Sequence, residues 1–358
     1  MPTISPSVSV LAAAVSLAAV PLLSHAETYV WADTASNDIA IESNWSSGSG
    51  APATNFPGDH TYHINNYAQD IRLSSTLNLN GSFFGVGQTT ALNTPVHLTV
   101  ENGGALSVGT LNSAVSINQT ETSRMTIQSG GSVTASNGAQ IGTRSTGVLD
   151  IDSGGTFTVT GDVRLGNHAS ADGTITNRGS YSAQRLIVSE NGGSSRFVHE
   201  GGVTLATNFV MYSHGPSIFE VQGSGGSIRF TAASNSGTAL LAGTDNGNNA
   251  TLEWVFDASG VTTIDLTGAN AGASIVGTTL NLNIDAWTGS EQVIIDQNGG
   301  GLGTTDVSEL TVNWTGSVIG SLQINDDGDL VVVPEPGAFA GAAGLLAFVW
   351  ALRRPRFA

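Results

Sequence analysis

Short runs of alternating apolar and polar residues, separated by glycine turns, repeat along the middle of the chain. The clearest copy is LDIDSGGTFTVTGDVRLG at residues 149–166. It holds an alternating run, a Gly-Gly pair, a second alternating run and a third short run that ends in glycine. Alternation over about 4–8 residues predicts a strand with one buried face, and Gly-Gly predicts a turn. The unit therefore predicts three short strands per repeat.

The turns recur at a nearly constant spacing. Steps of 27, 24, 24, 23 and 24 residues separate the pairs Gly103-Gly104, Gly130-Gly131, Gly154-Gly155, Arg178-Gly179, Gly201-Gly202 and Gly225-Gly226. A fixed period of this length is typical of a solenoid, in which each repeat is one coil. The consensus sequences of leucine-rich repeats and of calcium-binding nonapeptide repeats are both absent. The pattern therefore predicts a parallel β-helix.

Counting from the turns places aliphatic residues at the same phase in successive units. One column stands three residues before the turn and contains Val100, Ile127, Ile151, Ile175 and Val198. Two columns on the third strand contain Val115, Ala139, Val163, Leu186 and Phe209, and Ile117, Ile141, Leu165, Val188 and Met211. Because strand side chains alternate between faces, these columns predict a continuous core inside the coil.

The regions on either side of the array lack its period. Residues 27–76 predict lead-in strands that cap the first coil, because an exposed solenoid end would leave strand edges unpaired. The array covers residues 77–232. Residues 233–332 alternate without the period, which predicts either broader final coils or a small sandwich-like cap. The predicted fold is all-β: a parallel β-helix with a C-terminal β cap, an N-terminal signal helix and a short C-terminal transmembrane helix.

Composition excludes several functions. The formal net charge is −17, and the chain has no cysteine and no lysine. A body this acidic would repel the phosphates of nucleic acid, so we expect no nucleic-acid partner. Without cysteine the chain has no disulfide, no thiol nucleophile and no thiolate metal site. It must be held together by backbone ladders and packing.

Both ends of the sequence have the features of targeting segments. Residues 1–26 contain an apolar run and the small-residue pattern Ser24-His25-Ala26, which predicts signal cleavage between Ala26 and Glu27. Residues 333–358 begin with Pro334, Glu335 and Pro336. An apolar run at 338–352 follows, and then comes an arginine cluster of Arg353, Arg354 and Arg356. Arginines beside a short apolar helix predict that the C-terminal side faces the cytoplasm and the body faces outside.

This tail closely resembles the PEP-CTERM sorting signal of exported Gram-negative proteins. The motif, the apolar stretch and the arginine cluster occur in the family's order. The resemblance implies an exosortase-type membrane enzyme as partner and a membrane-anchored intermediate that is cleaved near the motif. It also implies delivery to the envelope surface, often together with exopolysaccharide. Residues 77–231 further resemble the β-helical passenger repeats of autotransporter-type proteins, which implies the fold but no activity.

Parallel β-helices also include polysaccharide lyases and glycoside hydrolases, so catalysis is an alternative. Asp150 and Asp152 are two apart on one predicted strand, about 7 Å apart on one face, a spacing that suits paired carboxylates. Asp162, Arg164 and His168 lie one strand further on, and a lyase could use Arg144 or Arg164 beside the carboxylate of its substrate. The other reading is that these acids form the solvated face of an acidic solenoid. It is favoured because the repeats are tight and lack the long loops that build a cleft.

Asn325-Asp326-Asp327-Gly328-Asp329 resembles half of a calcium loop. It lacks the terminal glutamate of that motif, so Asp326, Asp327 and Asp329 are read as a turn, with loose calcium binding left open and no cofactor otherwise expected. The leading hypothesis is a non-enzymatic surface or matrix protein, structural or adhesive. A carbohydrate-active enzyme and a carbohydrate-binding module are the alternatives.

Overall fold

The computed structural model describes most of the body of the chain. The described residues are 27–31, 36–47, 56, 60–64, 70–79, 82–87, 95–109, 115–117, 122–144, 146–212, 214–232, 238–242, 250–267, 272–297, 301–302 and 306–335. The predicted signal helix, the predicted transmembrane helix, Pro336 and the arginine cluster lie outside them. Within the described ranges no helix is both long and apolar enough to cross a membrane.

The body is an all-β parallel solenoid, as the repeat predicted. Its helical content in the described residues is two single 3₁₀ turns, at Glu42–Asn44 and Val307–Glu309. Each coil contributes a strand to three faces in turn. The first face is a ten-stranded parallel ladder of Asp70–Leu73, Val96–Val100, Ser123–Ile127, Thr146–Ile151, Asp172–Asn177, Ser194–His199, Ser217–Gln222, Ala250–Val255, Thr279–Asn283 and Thr311–Trp314.

The second and third faces belong to one sheet, because three long strands run through both. These strands are Thr156–Leu165, Ser180–Val188 and Val203–Met211. The other strands of the second face are Thr76–Leu79, Ala105–Val108, Ser132–Ala135, Ser227–Phe230, Ile264–Leu266 and Gln292–Asp296. Those of the third face are Thr28–Trp31, Thr61–Ile64, Phe83–Val86, Val115–Ile117, Ala139–Ile141, Thr238–Ala242 and Gly272–Ser274.

Both ends of the stack are closed by chain that leaves the parallel pattern. At the start, Trp45–Ser47 pairs antiparallel with Thr28–Trp31, and Ile39 N–H donates to the Arg72 carbonyl at 2.9 Å on the edge of the first face. At the other end, Gly320–Ile324 and Leu330–Pro334 form an antiparallel hairpin, whose second strand pairs with Gln292–Asp296. Residues 250–314 continue the parallel ladder. Each of these later coils contains more residues than a coil of the array, and the architecture does not change.

The Gly-Gly pairs form the corner between the first and second faces, and each glycine has its own reason. Gly154 has φ +83, a conformation that side chains disfavour. A Cβ on Gly155 would lie 2.6 Å from the Ile127 carbonyl oxygen of the preceding coil. The first glycine therefore turns the chain, and the second lets the coils stack at backbone distance.

The structure confirms the two predicted columns of the third face. Val115, Ala139, Val163, Leu186 and Phe209 are in register across five coils, and so are Ile117, Ile141, Leu165, Val188 and Met211. Those of 139–211 are buried. Aromatic rings extend this core, with Phe197 and Phe219 stacked at 5.4 Å between centroids and Phe209 and Phe230 at 5.3 Å.

The predicted column of the first face is wrong after Ile151. The residue in register with Ile151 is Asn177, and the next is His199. Four residues separate Ile151 from the second-face strand, but only 178 and 179 separate Asn177 from it. Ile175 is still buried in the core, but it is in register with Leu149 and not with Ile151. Val198 lies on the outer side of the strand, beside Thr176 and Glu220. The shorter turn moves the strand by two residues relative to the turn, so counting back from the turn no longer identifies the inward positions.

Candidate functional site

Asp150 and Asp152 do not form a carboxylate pair. Asp150 faces outward on the first face, where Arg124 Nη1 lies 2.6 Å from its Oδ2. The strand ends at Ile151, so Asp152 lies in the corner turn, with Arg178 at 3.9 Å. Each carboxylate thus neighbours an arginine of an adjacent coil. This arrangement matches the solvated, cross-coil pairing of an acidic solenoid.

Asp162 lies elsewhere, at the corner between the second and third faces. Its Oδ1 accepts from Arg185 Nε at 2.9 Å, its Oδ2 accepts from Arg185 Nη2, and Arg164 Nη2 lies 3.3 Å from Oδ2. Partial burial pushes the pKa of Asp162 up, but the hydrogen bonds and charges of Arg185 and Arg164 outweigh it and leave this pKa below its usual value. A carboxyl group that stays ionised is a poor general acid for glycoside hydrolysis.

The corner around Asp162 is shaped by two glycines. Gly138 directly precedes the register pair of Ala139 and Val163, so it lies beside Asp162, which is in register with Arg185. The coil before Asp162 therefore has no side chain at this position. Gly161 passes so close to the preceding coil that a Cβ would lie 1.5 Å from the Asn137 carbonyl oxygen. Any larger residue at 161 would push these two coils apart.

The corner also changes length from one coil to the next. In the strand Thr156–Leu165 three residues, 160–162, join the second-face half to the third-face half. In the neighbouring strand Ser180–Val188 only residues 184 and 185 do so. The extra residue makes a β-bulge in the first of these strands. A bulge bends a strand and redirects its side chains. Here it brings the side chains of three successive coils together at one place.

The result is a cavity of about 500 Å³, which we call the corner groove. Its polar lining comes from Asn137, Gln140, Asp162, Arg164, Gln184 and Arg185. Arg164 Nη1 also donates to Glu190 Oε2 at 2.5 Å, so two arginines meet two carboxylates and the formal charges cancel. The groove therefore offers amides, guanidinium groups and a fixed carboxylate without net charge.

Of these groove residues, the sequence pointed to Asp162 as a candidate carboxylate and to Arg164 as a candidate cation of a lyase. The other four come from the two neighbouring coils, and nothing local marks them as a set. The signal available was register: Gly138, Asp162 and Arg185 are 24 and 23 residues apart, close to the repeat period. A second cavity, of about 220 Å³ on the first face, is lined by Gly173, Thr174, Arg196 and their neighbours.

The proposed calcium residues lie in the turn of the closing hairpin. Asp326 and Asp327 are exposed, and Asp329 Oδ1 accepts from the Gln297 backbone N–H at 3.1 Å. Asn325 Oδ1 accepts from the Asp329 N–H at 2.8 Å, as in an ordinary side-chain-stabilised turn. Over the described part of the chain, no three His, Asp or Glu side chains are grouped as metal ligands.

The predicted sorting motif begins inside the closing hairpin. Pro334 is the last residue of the strand Leu330–Pro334, is buried, and pairs with Gly320. The Glu335 backbone N–H donates to the Ile319 carbonyl at 3.2 Å, while its side chain is exposed. The described fold therefore extends to the second residue of the predicted motif.

Comparisons with protein families, with curated proteins and with solved structures find no match for this chain.

Proposed function

We propose that this protein is an exported rod of the cell envelope or extracellular matrix, structural or adhesive, and sorted through its PEP-CTERM-like tail. The observation that carries the proposal is the stack itself. The first face is an unbroken ten-stranded ladder, and its outward columns are mainly polar or β-branched residues. Such a surface offers repeated contacts along its length, whereas the three candidate catalytic carboxylates are dispersed and paired with arginine.

The position of the motif suits processing after folding. Because the last strand ends at Pro334, cleavage beyond Pro336 leaves every described strand intact. The body would then be released or displayed as a complete solenoid with its closing hairpin. The resemblance supplies the expected processing enzyme, an exosortase-type membrane protein, and exopolysaccharide as the expected surroundings.

The test is expression of the full chain in a Gram-negative host with and without its exosortase. We expect surface labelling and a shortened C-terminus, measured by mass, only in cells that have the enzyme. The variant Glu335→Ala/Pro336→Ala should fold normally and remain unprocessed. Pro334 is left in place because it is buried in the last strand.

Asp326→Ala/Asp327→Ala is the matched control, because it changes two exposed residues of the neighbouring hairpin turn. It should be processed and displayed like the wild type. Equal display and an unchanged mass in cells that lack exosortase would contradict the sorting proposal.

A further inference from the structure

We propose that the corner groove is a binding site for a neutral, hydroxyl-rich glycan. This inference rests on the proposed function, since it names the ligand through which the rod would adhere. The groove is the larger of the two cavities described above, and its volume of about 500 Å³ falls within the range of about 300–1,000 Å³ typical of small-ligand sites. Its lining comes from three successive coils, so a ligand bound there would contact more than one coil.

The first argument is the chemistry of the lining. Adjacent sugar hydroxyls are bound best by planar groups that present two hydrogen-bonding atoms at once, and amides, guanidinium groups and carboxylates all do so. The groove contains all three kinds. The side chain of Gln184 is exposed and hydrogen-bonds to no other described residue, so its amide is available to a ligand.

The second argument is preorganisation. Arg185 donates two hydrogen bonds to Asp162, and Arg164 lies between Asp162 and Glu190 and contacts both. These contacts fix the polar atoms before any ligand arrives, which reduces the entropy lost on binding. Gly138 also lines the groove and places no side chain beside Asp162.

The third argument concerns charge and selects the class of glycan. Arg164 and Arg185 are balanced by Asp162 and Glu190, so no net positive charge is left to attract a uronate. The chain as a whole is acidic, with a formal net charge of −17. Such a field opposes a polyanion and is indifferent to an uncharged chain. The groove therefore fits neutral sugars better than acidic ones.

The experiment uses the purified full chain and ligand-observed saturation-transfer NMR. The probes are oligosaccharides of glucose, mannose, galactose and N-acetylglucosamine, together with oligogalacturonate as the acidic comparison. We expect at least one neutral oligosaccharide to bind with a dissociation constant on the order of 1 mM, as suits a few exposed hydrogen bonds without aromatic stacking.

Two groove variants and one control locate the site. Gln184→Ala removes one free amide and should weaken binding about fivefold to tenfold, while Gln140→Ala/Gln184→Ala should abolish the NMR effect. Gln128→Ala is the control, because Gln128 is an exposed amide at the other corner, between the first and second faces, and should leave binding unchanged.

Three results would overturn the inference. They are no binding to any neutral member of the panel, binding to oligogalacturonate alone, or equal weakening by Gln128→Ala and Gln184→Ala. Each leaves the sorting proposal standing, because surface display and C-terminal mass are measured independently. Conversely, a groove that binds glycan in a protein that is never processed would support this inference and contradict the sorting proposal.

Discussion

The inward column at the end of the first face has two sections with opposite chemistry. In the earlier coils it contains Val100, Ile127 and Ile151, all fully buried. In the next two coils the same positions hold Asn177 and His199, also fully buried. We call these the apolar section and the polar section. One column inside one solenoid therefore accepts either chemistry, provided that polar groups find partners.

The polar section is satisfied by a small network around Thr204. Asn177 Nδ2 donates to Thr204 Oγ1 at 2.9 Å and to the Val203 carbonyl at 2.8 Å. His199 Nδ1 lies 2.9 Å from the same hydroxyl, and Nε2 lies 3.2 Å from the Gly225 carbonyl. A carbonyl only accepts, so Nε2 carries the proton and the Thr204 hydroxyl donates to Nδ1. The network thus specifies a neutral histidine.

Exchanging residues between the sections is the strongest way to test this comparison. Ile151→Asn should lower the free energy of unfolding by about 3–5 kcal/mol, because it removes a buried aliphatic side chain and buries an amide without partners. Asn177→Ile is the reciprocal variant and should lower it by about 1–3 kcal/mol, because the amide contacts to Thr204, Val203 and Gly179 are lost. Urea denaturation followed by circular dichroism gives both values.

The order of the two exchanges is the informative result. If Asn177→Ile raises the free energy of unfolding, an aliphatic side chain is the more stable choice in both sections, and the polar network is not needed for stability. If Ile151→Asn is tolerated, the apolar section contains partners for an amide, and the distinction between the sections fails.

Acidification should weaken the polar section specifically. Burial lowers the pKa of His199 to about 4, against the effect of its hydrogen bond to Gly225, whereas an unfolded histidine titrates near 6.5. As pH falls below about 6.5, the unfolded chain takes up the proton first. The folded state is therefore unaffected above about pH 6.5 and loses up to about 3 kcal/mol as pH approaches 4.

The variant His199→Gln isolates this titration, because glutamine has a similar hydrogen-bonding capacity and no charge change. Its stability should fall less steeply between pH 6.5 and 4, by roughly the same 3 kcal/mol in total. Burial also lowers the pKa of His63 to about 4, but that group is present in both proteins and cancels in the difference. The salt-bridged Asp162 loses its contribution only at still lower pH. Parallel pH curves for wild type and variant would contradict the assignment.

The sequence predicts the architecture because the Gly-Gly turns recur at a nearly constant spacing along the chain. Gly155 allows the coils to touch, so its recurrence reports the stacking itself, and the third-face columns of Val163 and Leu165 follow from it. The polar section could not be predicted in the same way. The turn before Ser180 is two residues shorter than the turn before Thr156, and no local pattern distinguishes a shortened turn from a shifted strand.

The corner groove was missed for a different physical reason. It depends on a side chain that is absent at Gly138 and on a bulge at 160–162, and neither has chemistry of its own. Arg185 pairs with Asp162 only because two corners differ in length by one residue. A site assembled across coils can be predicted only when the exact residue register between the coils is known. The repeat period alone does not give that register.

The smallest expected effect concerns the hydroxyl that joins the two polar residues. Thr204→Val keeps the shape of the side chain and removes the partner of both Asn177 and His199, so we expect a loss of about 1–2 kcal/mol in urea denaturation. Thr158→Val, a half-buried outward position on the second face, is the control and should change stability by no more than about 0.5 kcal/mol. In the His199→Gln background the cost of Thr204→Val should change, because residues in one network are not additive. If Thr204→Val is tolerated as well as the control, the backbone contacts to Val203 and Gly225 are sufficient, and the polar section is stabilised by the main chain rather than by its own side chains.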